Sequence, residues 1–183
     1  MDTVNWGFIG CGEVTEKKSG PAFNLVPGSR IVAVMSRRAD KAESYARRHG
    51  VKRWYTDPQA LLDDPEVNAV YIATPPSTHA TYAIMAMKCG KAVYVEKPMA
   101  SNYEDCCRIN RIAEKTGMPC FVAYYRRCLP YFQKSKGTGA SRRGGQGSER
   151  TNSLRRAPSR PRLQPNQSPL ACATRYRRRR LFL

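Results

Sequence analysis

The pattern of apolar and polar positions divides the chain near Phe132. Up to residue 123, short apolar runs alternate with longer stretches whose apolar residues recur every three or four positions. Val4–Ile9, 31–35, 67–73, Ala92–Val95 and 120–123 read as strands, with Arg53–Tyr55 as a short one. The stretches 13–25, Ala39–His49, 57–63, 77–89 and 102–116 read as helices. Pro27-Gly28 is expected to close the first helix, and Gly50, Gly90 and Gly117 to end three others. Asp57-Pro58 sets an N-cap before a proline at the first helical position, and Ser77 is expected to cap the helix that follows it. His79, Tyr82, Ala83, Ala86 and Met87 share one helix face, as do Cys106, Ile109, Ile112 and Ala113. Strands alternating with helices of this length predict right-handed βαβ units. The fold class is therefore α/β, a doubly wound parallel sheet over residues 3–123.

Beyond Phe132 neither period survives, and Arg, Ser, Gly, Pro and Gln dominate 135–162. Such a segment buries too little apolar surface to offset its ordering entropy, so 135–183 is expected to be a disordered basic tail behind a folded domain of residues 1–134. Charge follows the same division. Residues 1–134 hold 19 Lys and Arg against 13 Asp and Glu, a net +6, whereas 135–183 hold 13 against the single acid Glu149, a net +12. Twelve of those 13 basic residues are Arg. The leading reading of the tail is an out-of-frame sequence. The alternatives are a basic arm, in which Arg175-Tyr176-Arg177-Arg178-Arg179-Arg180 would contact phosphates in a salt-dependent way, and a membrane-surface or targeting tail.

Seven cysteines, none in a C-x-x-C pair, and only two histidines argue against a zinc site and for reduced, cytoplasmic thiols. No metal is expected. The N-terminal residues lack a basic n-region and a long apolar segment, and no run approaches the roughly 18 apolar residues that span a bilayer.

Four motifs carry chemistry. Gly10-Cys11-Gly12-Glu13-Val14 follows the first strand: Gly10 suits a tight turn, Gly12 a close backbone approach to a pyrophosphate, and the next helix an anion at its N-terminus. Thr15 stands where a third glycine or alanine is usual, which predicts looser packing of helix on strand. At the end of the second strand, Ser36, Arg37 and Arg38 stand where a NAD site carries an acid. They suit a ribose 2′-phosphate, so NADP is expected over NAD, with NAD as the alternative. Thr74-Pro75-Pro76 form a stiff turn facing the glycine loop, and with His79 just beyond they are candidate cofactor contacts near the nicotinamide, His79 as a packed histidine rather than a general base. Glu96-Lys97-Pro98 closes a buried strand, where open α/β sheets bind ligands. Lys97 is the candidate catalytic residue, able to bond a substrate hydroxyl and help move its proton. The plain alternative is a surface lysine paired with Glu96.

Together the glycine loop, the T-P-P-x-x-H turn and E-K-P resemble the glucose–fructose oxidoreductase / inositol dehydrogenase family, Gfo/Idh/MocA, and the stretch 121–130 resembles its aromatic-Arg-Arg segment. The resemblance covers residues 3 to about 134. It implies a Rossmann-like NAD(P)-binding domain and an oxidoreductase acting on sugar, cyclitol or dihydrodiol hydroxyls. It also implies that Lys97 is the active-site lysine and that Tyr125 and Arg126 lie near the nicotinamide. Family members continue into a second α/β domain that supplies the substrate wall, the subunit interface of a homo-oligomer and a general-base histidine. No histidine follows His79 here. The expectation is thus a chain that binds cofactor weakly and turns over little, with an apolar surface around Tyr124, Leu129, Tyr131 and Phe132 left bare. Small-molecule substrates are the expected partners, with no specific nucleic acid and no membrane. The rivals are a polyanion-binding protein using the arginine tail and a non-catalytic dinucleotide sensor.

Overall fold

The computed structural model describes residues 3–134, so the expectations for the tail lie outside the described residues. These residues divide at Ala123/Tyr124 into two units. The first holds six parallel strands, β1 (Val4–Ile9), β2 (Ser29–Met35), β3 (Arg53–Tyr55), β4 (Ala69–Ile72), β5 (Ala92–Val95) and β6 (Cys120–Val122), in the order β3-β2-β1-β4-β5-β6. That is the doubly wound order predicted, with the direction of winding reversing between β1 and β4. Ile9 pairs with both Met35 and Ile72, and Ile72 with Val95, which brings four strand ends level at one edge.

Strand alternation builds two cores. Ile9, Ala33, Met35, Val70, Ile72, Val93 and Val95 turn toward α3 (Pro58–Leu62), α4 (Pro76–Lys88) and α5 (Tyr103–Thr116), where Leu61, Ala83, Met87 and Ile109 close over them. Phe8, Val34 and Tyr71 turn the other way, toward α1 (Gly20–Phe23) and α2 (Ala39–His49). Phe23 fills this side with rings 4.9 Å from those of Trp6, Phe8 and Tyr71. The four strands central to both cores read as near-continuous apolar runs because both faces are covered.

Two helices, the short α3 and the long α5, begin at side-chain caps. Asp57 accepts the Ala60 amide at 3.1 Å ahead of Pro58, and Asn102 accepts the Asp105 amide at 2.8 Å. Each is worth about 1 kcal/mol. Two expectations change. Helix α4 starts at Pro76 after Pro75, not at a Ser77 cap, because Pro76 has no N–H to leave orphaned at the first helical position. The helix expected over 13–25 is broken into a wide π-helical turn, Val14–Lys18, and the four-residue α1.

Thr15 lies at that break. It is fully buried, and its hydroxyl donates back to the Gly12 carbonyl at 2.8 Å. The turn closes five residues on, from the Ser19 amide to the Val14 carbonyl at 3.0 Å. Within the same stretch Gly20 lies against the turn itself, where an added Cβ would stand 1.8 Å from the Thr15 carbonyl oxygen. The same oxygen accepts from the buried Tyr45 hydroxyl at 3.1 Å.

In the second unit, Tyr125–Cys128 form a 3₁₀ turn and a helical turn begins at Pro130. Tyr124, Tyr125, Leu129, Tyr131 and Phe132 are exposed.

Burial pushes the Cys11 and Cys120 thiols and the Tyr45 phenol each up to about 12. The folded chain therefore holds these protons at alkaline pH where the unfolded chain releases them. The contribution of these three groups to stability is constant below about pH 9 and falls between pH 9 and 12. Urea midpoints measured across that range check it, and a midpoint that stays level would contradict the burial of these groups.

Candidate functional site

Three connections emerge at the level edge of the sheet, after β1, β4 and β5. The first is forced into glycine at residue 10: φ is +110°, and a Cβ there would stand 2.7 Å from the Ala73 carbonyl oxygen at the end of β4. Gly12 is different. A Cβ there would meet nothing within 4 Å, so the missing side chain leaves open space above the loop for a ligand to approach the backbone. Glu13 and Val14 begin the turn, whose first amides have no partner within it. Cys11 points inward and its thiol donates to the Met35 carbonyl at 3.6 Å; held protonated by burial, it is no nucleophile.

At the end of β2, Ser36 accepts the Arg38 amide at 3.3 Å. Arg37 is exposed and forms no ion pair with a described residue. Arg38 is already engaged: its guanidinium grips both oxygens of Asp40, at 3.1 and 2.5 Å, and holds that carboxyl below its ordinary value. Between the glycine loop and α2 lies a pocket of about 250 Å³ lined by Cys11, Asp40, Lys41, Ser44 and Arg48. Arg48 and His49 meet the carboxylate of Glu16, at 2.9 and 3.0 Å, and tie the turn after the loop to the end of α2.

The second connection is Thr74-Pro75-Pro76, stiffened by a bond from the Thr78 hydroxyl to that of Thr74 at 2.8 Å. His79 lies beneath it at 1% exposure. Its Nε2 sits 2.8 Å from the Thr74 carbonyl and its Nδ1 2.9 Å from the Pro98 carbonyl. Expected here as a cofactor contact, the ring is closed off from solvent; it joins the second connection to the third.

The third connection is Glu96-Lys97-Pro98, with a cis bond before the proline. Lys97 is exposed, and among the described residues its ammonium has no ion-pair partner. The pairing with Glu96 weighed from the sequence does not form, because that carboxylate is used elsewhere. One oxygen accepts the Tyr71 hydroxyl at 2.7 Å and the other accepts the Lys97 amide at 3.1 Å. Tyr71 was read only as an apolar strand position; the usable signal was a hydroxyl in a strand otherwise without polar atoms, which must find a partner when buried. Tyr125 and Arg126 belong to the second unit, where the guanidinium lies 6.0 Å from the Tyr125 ring centre.

Residues 4–124 match the model of the Gfo/Idh/MocA oxidoreductases, a family with an NAD-binding Rossmann fold. The chain belongs to this family. An oxidoreductase, P35, of Formosa agariphila is 48% identical over 133 residues, which span 73% of this chain and 41% of that protein. The scyllo-inositol 2-dehydrogenase (NAD(+)) of Bacillus subtilis is 33% identical over 73% of this chain and 39% of its own length. A 3-ketoreductase from Actinomadura kijaniata, solved with NADP and TDP-benzene, superposes with a TM-score of 0.71 at 26% identity, covering 76% of this chain and 43% of that one. The chain thus spans about two fifths of the length of these Gfo/Idh/MocA relatives. Among the described residues no helix is long and apolar enough to cross a membrane, and no group of three or more His, Cys, Asp or Glu is placed to hold a metal ion.

Replacing His79 with Leu would remove the ring that lies between the Thr74 and Pro98 carbonyls, and with it the N–H that one ring nitrogen donates to one of them in a buried place. The expected loss is about 1–3 kcal/mol of stability. Urea unfolding of His79→Leu beside the wild type measures it, and an unchanged midpoint would mean the ring does not hold the two connections together.

Proposed function

We infer that this chain carries the cofactor-binding part of an oxidoreductase that moves hydride between NADP(H) and a hydroxyl of a sugar, cyclitol or dihydrodiol. The observation that carries the reading is the convergence of the glycine loop, the Thr74-Pro75-Pro76 turn and Glu96-Lys97-Pro98 at the reversal point of one parallel sheet. The open space over Gly12 fits a pyrophosphate lying on the backbone of 10–14. The Thr74-Pro75-Pro76 turn and the Glu96-Lys97-Pro98 segment border the nicotinamide end. Tyr125 and Arg126 are proposed contacts by family resemblance.

Ser36 and Arg37, with Arg38 behind them, favour a 2′-phosphate, since the first acid after β2 is Asp40 and it is neutralised by Arg38. When bound, the nicotinamide supplies or accepts the hydride. Lys97 has the chemistry for the proton. Its exposed amine stands on a backbone held by Glu96, so it can bond a substrate hydroxyl and take or return the proton as the C–H bond changes. The relatives, one named for scyllo-inositol and one a 3-ketoreductase, support a polyol-like substrate class.

Fluorescence titration of the chain with NADPH and NADH tests the cofactor assignment. NADPH should bind about tenfold more tightly, Arg37→Ala should remove most of that preference, and Asp40→Asn, by releasing Arg38, should increase it. Tighter binding of NADH, or binding of neither, would sink the assignment.

A further inference from the structure

A single line of side chains runs from the turn after the glycine loop to the backbone of the candidate catalytic lysine. Ser19 Oγ lies 2.6 Å from Tyr71 Oη, Tyr71 Oη lies 2.7 Å from Glu96 Oε1, and Glu96 Oε2 lies 3.1 Å from the Lys97 amide nitrogen. The direction of the bonds follows from the groups. A carboxylate only accepts, so Tyr71 must give its one hydrogen to Glu96. In the contact between the two hydroxyls Ser19 is then the donor, with the Val14 carbonyl at 3.2 Å as a competing acceptor for the same hydrogen. Tyr71 has no exposed surface and its ring is packed among Phe8, Phe23 and Tyr94. Burial pushes its phenol well above the ordinary value, so it stays a donor at any working pH.

We propose that Tyr71 and Ser19 are positioning residues that orient the Glu96 carboxylate and, through it, fix the Lys97 backbone relative to the glycine loop. The proposal deepens the reading above and rests on it for its functional meaning. An unheld Glu96 could rotate toward the Lys97 ammonium one residue away and pair with it. The Tyr71 hydroxyl prevents this by occupying one carboxylate oxygen in a water-poor place. Lys97 then keeps a free amine for the substrate. The line also joins two parts of the candidate site: Ser19 closes the turn that follows the glycine loop, and Glu96-Lys97 stands on the other side of the reversal point. Seating a ligand on the loop would thereby tighten the segment that carries the lysine.

Residue-resolved amide exchange by NMR tests the linkage without any cofactor. Tyr71→Phe removes one oxygen and keeps the packed ring. It should speed exchange of the Lys97 amide roughly tenfold while leaving the Glu96 and Ala73 amides, bonded to Ile72 and Ile9 in the sheet, as protected as before. Ser19→Ala should act in the same direction and more weakly, and serves if Tyr71→Phe folds poorly. Tyr45→Phe, the loss of a different buried hydroxyl, should leave Lys97 unchanged. An unaltered Lys97 amide in Tyr71→Phe, or equal acceleration of Glu96 and Ala73, would overturn the proposal and make Tyr71 a packing residue. NADPH titration adds the functional arm: Tyr71→Phe should weaken binding by roughly fivefold to tenfold. Unchanged affinity in a chain whose wild type binds NADPH would reject the coupling to the site. A wild type that binds no NADPH would instead reject the cofactor reading, with the exchange data still deciding the role of Tyr71.

Discussion

The chain leaving β1 must pass against the end of β4 with no room for a side chain. Gly10 makes that crossing with its Cα beside the Ala73 carbonyl, and a methyl group there would stand 2.7 Å from the oxygen. The rest of the site depends on this contact. Because the loop hugs β4, the connection after β4 begins within reach of the connection after β1. Register then places the connection after β5 beside both, through Ile9, Ile72 and Val95. A looser turn would separate the glycine loop from the Thr74-Pro75-Pro76 segment, and three sequence motifs more than 20 residues apart would no longer face one ligand.

The three connections are held by different means, and the magnitudes differ accordingly. Exposed pairs such as Arg38–Asp40 and Arg48–Glu16 contribute little, because water screens them, and they weaken with salt. Buried partners are another matter: a buried carbonyl or carboxylate that loses its donor costs about 1–3 kcal/mol. His79 between two carbonyls and Tyr71 against Glu96 belong to this second group. The site is therefore stiff near the E-K-P segment and adjustable near the end of β2.

Much of this was legible in the sequence, for a physical reason. Buried parallel strands appear as unbroken apolar runs, and helices such as Ala39–His49 end at glycine, so strand order and most element bounds followed from pattern alone. The three connections were found because turn chemistry is local: glycines, paired prolines and a lysine at a strand end are visible without a structure. What stayed hidden depended on contacts between distant residues. Nothing in 13–25 reveals that the Thr15 hydroxyl bonds back to Gly12, or that Gly20 lies against the Thr15 carbonyl. Arg38 read as a free phosphate ligand because its grip on Asp40 is a choice of side-chain rotamer. Tyr71 passed as one more apolar residue in β4.

That last omission bears on how a lysine at a strand end becomes useful. A neighbouring glutamate is the nearest available counter-ion for Lys97, and in water the two would pair at little gain. Here the strand supplies a competing donor for the glutamate from the buried side. The Tyr71 hydroxyl cannot be replaced by water, since it lies in the core, whereas the Lys97 ammonium keeps its hydration when left unpaired. The balance favours the tyrosine–carboxylate bond, and the amine is spared. In this chain a strongly basic side chain stays unpaired beside an acidic one because a residue on the adjacent strand engages the acid from the core side.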